Sequence, residues 1–127
     1  MRIGITGASG LIGSALTTHL QQQGHETLAF VRREPRSTSE ISWQPGTDLD
    51  PGRLSGLDAI VHLAGAGVGD KRWTDSYKEV IRSSRVDGTQ TIARAMAAAD
   101  DGPRVLVSGS AIGYYGDTGD RLTDETG

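Results

Sequence analysis

The chain has no cysteine among its 127 residues. That absence excludes disulfides, thiolate zinc centres and a cysteine nucleophile, and it makes a cytoplasmic location the expectation. The first residues lack the apolar segment of a signal peptide, and no apolar run reaches the length needed to cross a bilayer. Positive charge is not in excess either. Thirteen Lys and Arg against sixteen Asp and Glu leave a formal charge of −3, so no basic face advertises nucleic acid or an anionic membrane. Internal repeats and low-complexity tracts are missing. The acidic residues Asp117, Asp120, Asp124 and Glu125 have no cysteine or grouped histidine beside them, so they read as a solvated loop, and no metal is expected.

Glycine, in contrast, is abundant at 18 residues, which suits many tight turns rather than disorder. The N-terminus is the most informative segment. Ile3 and Ile5 run straight into Gly7-Ala8-Ser9-Gly10-Leu11-Ile12-Gly13, and an amphipathic stretch follows. This order is strand, tight turn, helix start, as at the beginning of a mononucleotide-binding βαβ unit. Gly7 turns the chain off the strand, Gly10 lets backbone approach a pyrophosphate, and Gly13 lets the helix pack closely on the strand. The N–H groups of the helix start then face an anion. Gly7, Ser9, Gly10, Leu11, Ile12 and Gly13 are therefore the expected phosphate-binding residues. A glycine-rich connection that binds nothing is the plain alternative.

Apolar periodicity predicts strands at about 2–6, 26–31, 41–44, 59–63 and 104–108. Helices are predicted at 11–23, with Leu11, Ile12, Ala15, Leu16 and Leu20 on its buried face, and at 75–99, capped by Thr74. In the second helix Val80, Ile81, Ile92 and Met96 are the expected core contacts, and Gly88 is a point of interruption. One helical turn is expected near Leu54, and loop from Gly109 to Gly127. Alternating strands and helices imply an α/β fold with a doubly wound parallel sheet. Right-handed crossovers give the strand order 3-2-1-4-5, with the ligand crevice at the carboxyl ends of strands 1 and 4.

The remaining candidate residues fall at those strand ends. Arg32 and Arg33 follow strand 2, about twenty residues past the glycine turn, where an acidic residue would bond the ribose of NAD and an Arg accepts a 2′-phosphate. NADP is thus expected ahead of NAD. Leu63, Ala64 and Gly65 end strand 4, where small residues let backbone lie against a nicotinamide ribose. His62 reads as a bonded core residue. Ser108 ends strand 5 and joins the expected cofactor contacts. Ser110 and Tyr114 follow it, as hydroxyls able to meet a substrate carbonyl or act as an acid. A polar turn with packing aromatics is an equally good reading of that loop.

Thr6-Gly7-Ala8-Ser9-Gly10-Leu11-Ile12-Gly13 and His62-Leu63-Ala64-Gly65 resemble two motifs of the extended short-chain dehydrogenases/reductases. Asp87-Gly88-Thr89 resembles the end of a third, with Arg85 where that motif has Asn. Ala64-Gly65-Ala66-Gly67, Lys71-Arg72-Trp73-Thr74, Ser84-Arg85-Val86 and the run from Ser110 to Asp117 are similar to an atypical nucleoside-diphosphate-sugar epimerase subfamily. The resemblance implies a Rossmann domain over residues 1–127 that binds NAD(P), with Ser110 as the active-site serine. It implies that a substrate domain and the superfamily's Tyr-x-x-x-Lys pair lie beyond Gly127, so that this chain is a fragment, truncated before strand 6 and inactive alone.

Two function classes follow. One is the NADP(H)-binding half of an epimerase or dehydratase-like oxidoreductase acting on a sugar nucleotide or a related carbonyl or hydroxyl substrate. The other is a non-catalytic dinucleotide-binding module that senses redox state. The expected partners are the dinucleotide and a small-molecule substrate, with no nucleic acid and no membrane. Association between copies is expected through an uncovered fifth strand.

Overall fold

Five parallel strands form one sheet in the order β3-β2-β1-β4-β5, which is the predicted order. The computed structural model describes residues 1–65, 71–110, 119–122, 124 and 126. The strands are β1 (Arg2–Thr6), β2 (Glu26–Val31), β3 (Glu40–Ser42), β4 (Ala59–His62) and β5 (Val105–Ser108). Helix α1 (Leu11–Gln22) joins β1 to β2, and α2 (Asp75–Ala98) joins β4 to β5. A single 3-10 turn spans Pro51–Leu54, where one helical turn was expected.

Side chains of each strand alternate between the two sheet faces. Leu28, Phe30, Ile41 and Ile60 share one face and close a core with Trp43, Leu49, Leu54 and Leu57 beneath Ile92 and Ala95 of α2. Ile3 and Ile5 occupy the other face, on the side of α1, and are equally buried. Gly88 does not interrupt α2. A Cβ there would meet the rings of His62 at 3.4 Å and Trp43 at 3.5 Å, so the glycine lets the helix lie close over them. Thr74 caps α2 as expected, accepting a bond from the Tyr77 N–H at 3.1 Å.

Packing expectations at four residues need correction. Leu11 and Ile12 are 87% and 65% exposed, because the first turn of α1 projects past the strand ends, where no sheet lies beneath it. Ala15 is also exposed, and the inner line of α1 runs instead through Gly13, Leu16 and Leu20. Val80 is 46% exposed; the buried residues of α2 lie in its second half, at Gly88, Thr91, Ile92 and Ala95. At the β5 edge, Val105 and Val107 are 50% and 54% exposed, and no described helix covers them.

Among the described glycines, the one with least room for a side chain lies in the glycine turn. Gly7 has φ +68, a left-handed conformation that favours glycine. A Cβ on Gly13 would lie 2.0 Å from the carbonyl oxygen of Gly7, so α1 rests directly on the turn that precedes it. The clash is with backbone and has no flexible side chain to relieve it. Gly13→Ala is therefore expected to destabilise the chain by about 2–3 kcal/mol, read as a lower urea midpoint. Unchanged stability would show that the turn tolerates the displacement.

Candidate functional site

The parallel register sets Thr6, His62 and Ser108 side by side at the carboxyl ends of β1, β4 and β5. Two of them are bonded to each other. The Thr6 hydroxyl lies 2.7 Å from Nδ1 of His62, and it accepts from the backbone N–H of Leu63 at 3.0 Å and of Ala64 at 3.1 Å. A hydroxyl has two acceptor sites and one proton. With both acceptor sites occupied, the proton must go to Nδ1, so His62 is neutral and carries its own proton on Nε2. The side chain is 3% exposed and stands edge-on to Trp43. Burial holds its pKa below the ordinary imidazole value. His62 is thus the bonded core histidine expected from the sequence.

This cluster fixes the chain as it leaves β4 and brings it against the glycine turn. A Cβ on Gly7 would meet the backbone of Leu63 and Ala64 at about 3 Å. Between the turn and these residues opens a crevice of about 1060 Å³, lined by Gly7, Ala8, Ser9, Gly10 and Ser14 on one side and Leu63, Ala64 and Gly65 on another. Arg32, Arg33, Glu40 and Trp43 line its far end, and Val80 and Ser84 of α2 its outer wall. The crevice sits where the strand order reverses, between β1 and β4.

Its chemistry is that of an anion site. Gly10 is the N-cap of α1, no side chain caps the helix, and its first turn contains no acidic residue. The first hydrogen bond of the helix runs from Ser14 N–H to Gly10 O at 2.9 Å. The Gly10 N–H donates to the Gly7 carbonyl at 3.1 Å, and the N–H groups of Leu11, Ile12 and Gly13 are the orphan donors at the positive end of the helix dipole. A Cβ on Gly10 would meet only the Gly7 oxygen, at 3.4 Å, so space above the turn is open to a ligand.

The predicted residues divide clearly. Gly7, Ser9, Gly10, Arg32, Arg33, Leu63, Ala64 and Gly65 line the crevice. Gly13 is buried behind it as a packing residue, and Leu11 and Ile12 are exposed at the helix start and are not among the residues that line the crevice. Ser108 and Ser110 are exposed beyond the crevice lining. Tyr114 lies outside the described residues, as do Ala66, Gly67 and Asp117. Arg32 and Arg33 differ in a way their sequence hides. Arg33 forks onto Glu40, with Nη1 and Nη2 donating at 2.9 and 2.6 Å. That bond, together with the Arg36 N–H, holds the Glu40 carboxyl well below its ordinary range, at about 2, and raises the Arg33 pKa further. Glu40, Trp43, Val80 and Ser84 were not anticipated at the site. Arg85, at the position where the sequence departs from the resembled motif, lies against Gly65, with its guanidinium carbon 3.1 Å from where a Cβ would stand.

Among the described residues no helix is long and apolar enough to cross a membrane, and no group of His, Cys, Asp and Glu is placed to hold a metal.

The sequence model of the NAD dependent epimerase/dehydratase family matches residues 3–127. An epimerase family protein of Mycobacterium bovis is 42% identical over 97% of this chain, which spans 40% of that protein. Among solved structures, human epimerase family protein SDR39U1 with NADPH superposes with a TM-score of 0.76 at 30% identity, over 91% of this chain and 38% of the human one. MoeE5 in complex with UDP-glucose and NAD gives 0.72 at 28% identity, over 98% and 41%.

Neutral His62 has a pH signature. As pH falls, the unfolded chain takes up this proton before the folded chain does, so stability is lost on acidification and not on raising the pH. His62 is expected to leave stability level above about pH 7 and to lower it as pH falls toward 5, the ordinary imidazole pKa being about 6.5. In His62→Asn the amide oxygen stands at the level of Nδ1, can take the Thr6 proton and does not titrate, so urea unfolding should lose that part of the decline. A decline of the same size in the variant would show that His62 is not held neutral.

Proposed function

Because the chain belongs to the NAD dependent epimerase/dehydratase family, we propose that it is the NADP(H)-binding N-terminal domain of an oxidoreductase that works on a sugar nucleotide or a related carbonyl or hydroxyl compound. The observation that carries this reading is the uncapped start of α1, opening into the crevice between the glycine turn and residues 63–65. A dinucleotide's pyrophosphate suits that position, since orphan N–H groups and the helix dipole both favour negative charge there. The crevice volume is ample for such a ligand. The cofactor supplies a hydride acceptor and donor at its nicotinamide.

The chain's own residues divide the remaining tasks. Residues 63–65, held by Thr6, form the wall for the nicotinamide ribose. Arg32, at the exit of β2, meets the 2′-phosphate that distinguishes NADP from NAD. The NADPH named with the human relative supports this preference, and the NAD named with MoeE5 keeps the alternative cofactor within the family's range. On this reading Ser110 offers its hydroxyl to the reacting carbonyl or alcohol, and Tyr114 serves as an acid. The UDP-glucose named with MoeE5 supports a sugar-nucleotide substrate.

Binding of NADPH and NADH is followed by quenching of Trp43, which lines the crevice. NADPH is expected to bind tighter than NADH. Arg32→Ala is expected to weaken NADPH by about 10–100-fold, the worth of a charge-assisted bond, while changing NADH less than threefold. Equal losses for both cofactors would contradict the 2′-phosphate role of Arg32.

A further inference from the structure

The far end of the crevice carries two consecutive arginines, yet their charges are not equally available. Arg32 is exposed, and no ion pair involves it among the described residues. Arg33 is paired. Its Nη1 donates to both Glu40 Oε1 and the carbonyl of Glu34, at 2.9 and 3.1 Å, and its Nη2 donates to Glu40 Oε2 at 2.6 Å. Glu40 is in turn fixed by the sheet. It opens β3, opposite Ala29 of β2, and its Oε1 also accepts the N–H of Arg36 at 2.7 Å. Six intervening residues return the carboxylate to the arginine that leaves β2. The result is a neutral, bidentate pair on the crevice wall, with the acidic partner itself among the lining residues.

On the dinucleotide reading above, a phosphate at the ribose 2′ position meets this pair together with Arg32. We propose that Glu40 is a specificity-determining residue: by pinning and neutralising Arg33 it leaves Arg32 to carry the attraction for the 2′-phosphate, and so limits the preference for NADP(H) over NAD(H). The carboxylate opposes the phosphate through its charge, while the Arg33 fork keeps that opposition small. Removing either member alone therefore has opposite consequences. Without the carboxylate, Arg33 becomes a second available cation. Without Arg33, an uncompensated anion faces the phosphate. Removing both restores the original balance.

The test is a double-mutant cycle on the full chain, measuring the Kd of NADPH and of NADH for Glu40→Gln, Arg33→Ala and the double variant. Glu40→Gln keeps an acceptor for the Arg36 N–H and is expected to raise the ratio of NADH to NADPH Kd about tenfold, through NADPH. Arg33→Ala is expected to lower the ratio about tenfold, and the double variant to return within about threefold of the parent. A role confined to holding the loop between β2 and β3 would move both cofactors together and leave the ratio unchanged. The proposal is overturned if Glu40→Gln leaves the ratio within twofold of the parent, or if the double variant discriminates as poorly as Arg33→Ala. If the parent chain binds neither cofactor, the dinucleotide reading falls, and this inference with it.

Discussion

One buried hydroxyl organises the place where this fold meets a ligand. Thr6 is fully buried at the end of β1, and its oxygen bonds the ring of His62 and the N–H groups of Leu63 and Ala64. Each bond depends on the others. Because both acceptor sites are taken by the amides, the proton must go to the imidazole, and the imidazole must stay neutral. That arrangement ties the chain leaving β4 to the strand that precedes the glycine turn. Gly7, in its left-handed conformation, then lies flush against the same backbone. The two sides of the crevice share this anchor, and Gly88 lets α2 lie close over His62 and Trp43.

Electrostatics at the crevice come mostly from backbone. The start of α1 offers orphan N–H groups with no capping side chain and no acidic neighbour in the first turn. The side-chain charges are largely compensated, since Glu40 cancels Arg33. Binding of a pyrophosphate by such a site relies on dipoles fixed in advance, which require no reordering of long side chains when the ligand arrives. Arg32, at the rim, adds a charge that acts at one end of the ligand only.

Much of this was legible in the residue order, and the failures have local causes. The bounds of β1 and β2 follow from short apolar runs bracketed by glycine or polar residues, and the sheet order follows from crossover handedness. The glycine turn was readable because each glycine has a distinct steric task, although Gly13 turns out to rest on Gly7 rather than on the strand. Periodicity misjudged Leu11, Ile12 and Val80, because it assumes that a helix face has something beneath it along its whole length. The pairing of Arg33 with Glu40 left no trace in the sequence. It depends on β3 lying parallel to β2 in one register, and a one-residue slip would turn the carboxylate to the other face. Trp43 was likewise recognisable only as an apolar residue, not as a wall of the crevice. Ser108 ends the predicted strand and Ser110 follows it, but both lie outside the crevice lining, and the residues that would relate them to a substrate include Tyr114, beyond those described.

The account rests on a dinucleotide lying across the reversal point of the sheet, and amide chemical shifts recorded while NADPH is added test that directly. The largest changes are expected at residues 10–13, at 63–65 and at Arg32. Changes confined to the separate hollow of about 330 Å³ between the loop after β3 and α2, lined by Thr47, Asp48, Gln90 and Arg94, would contradict it, as would a spectrum that does not respond.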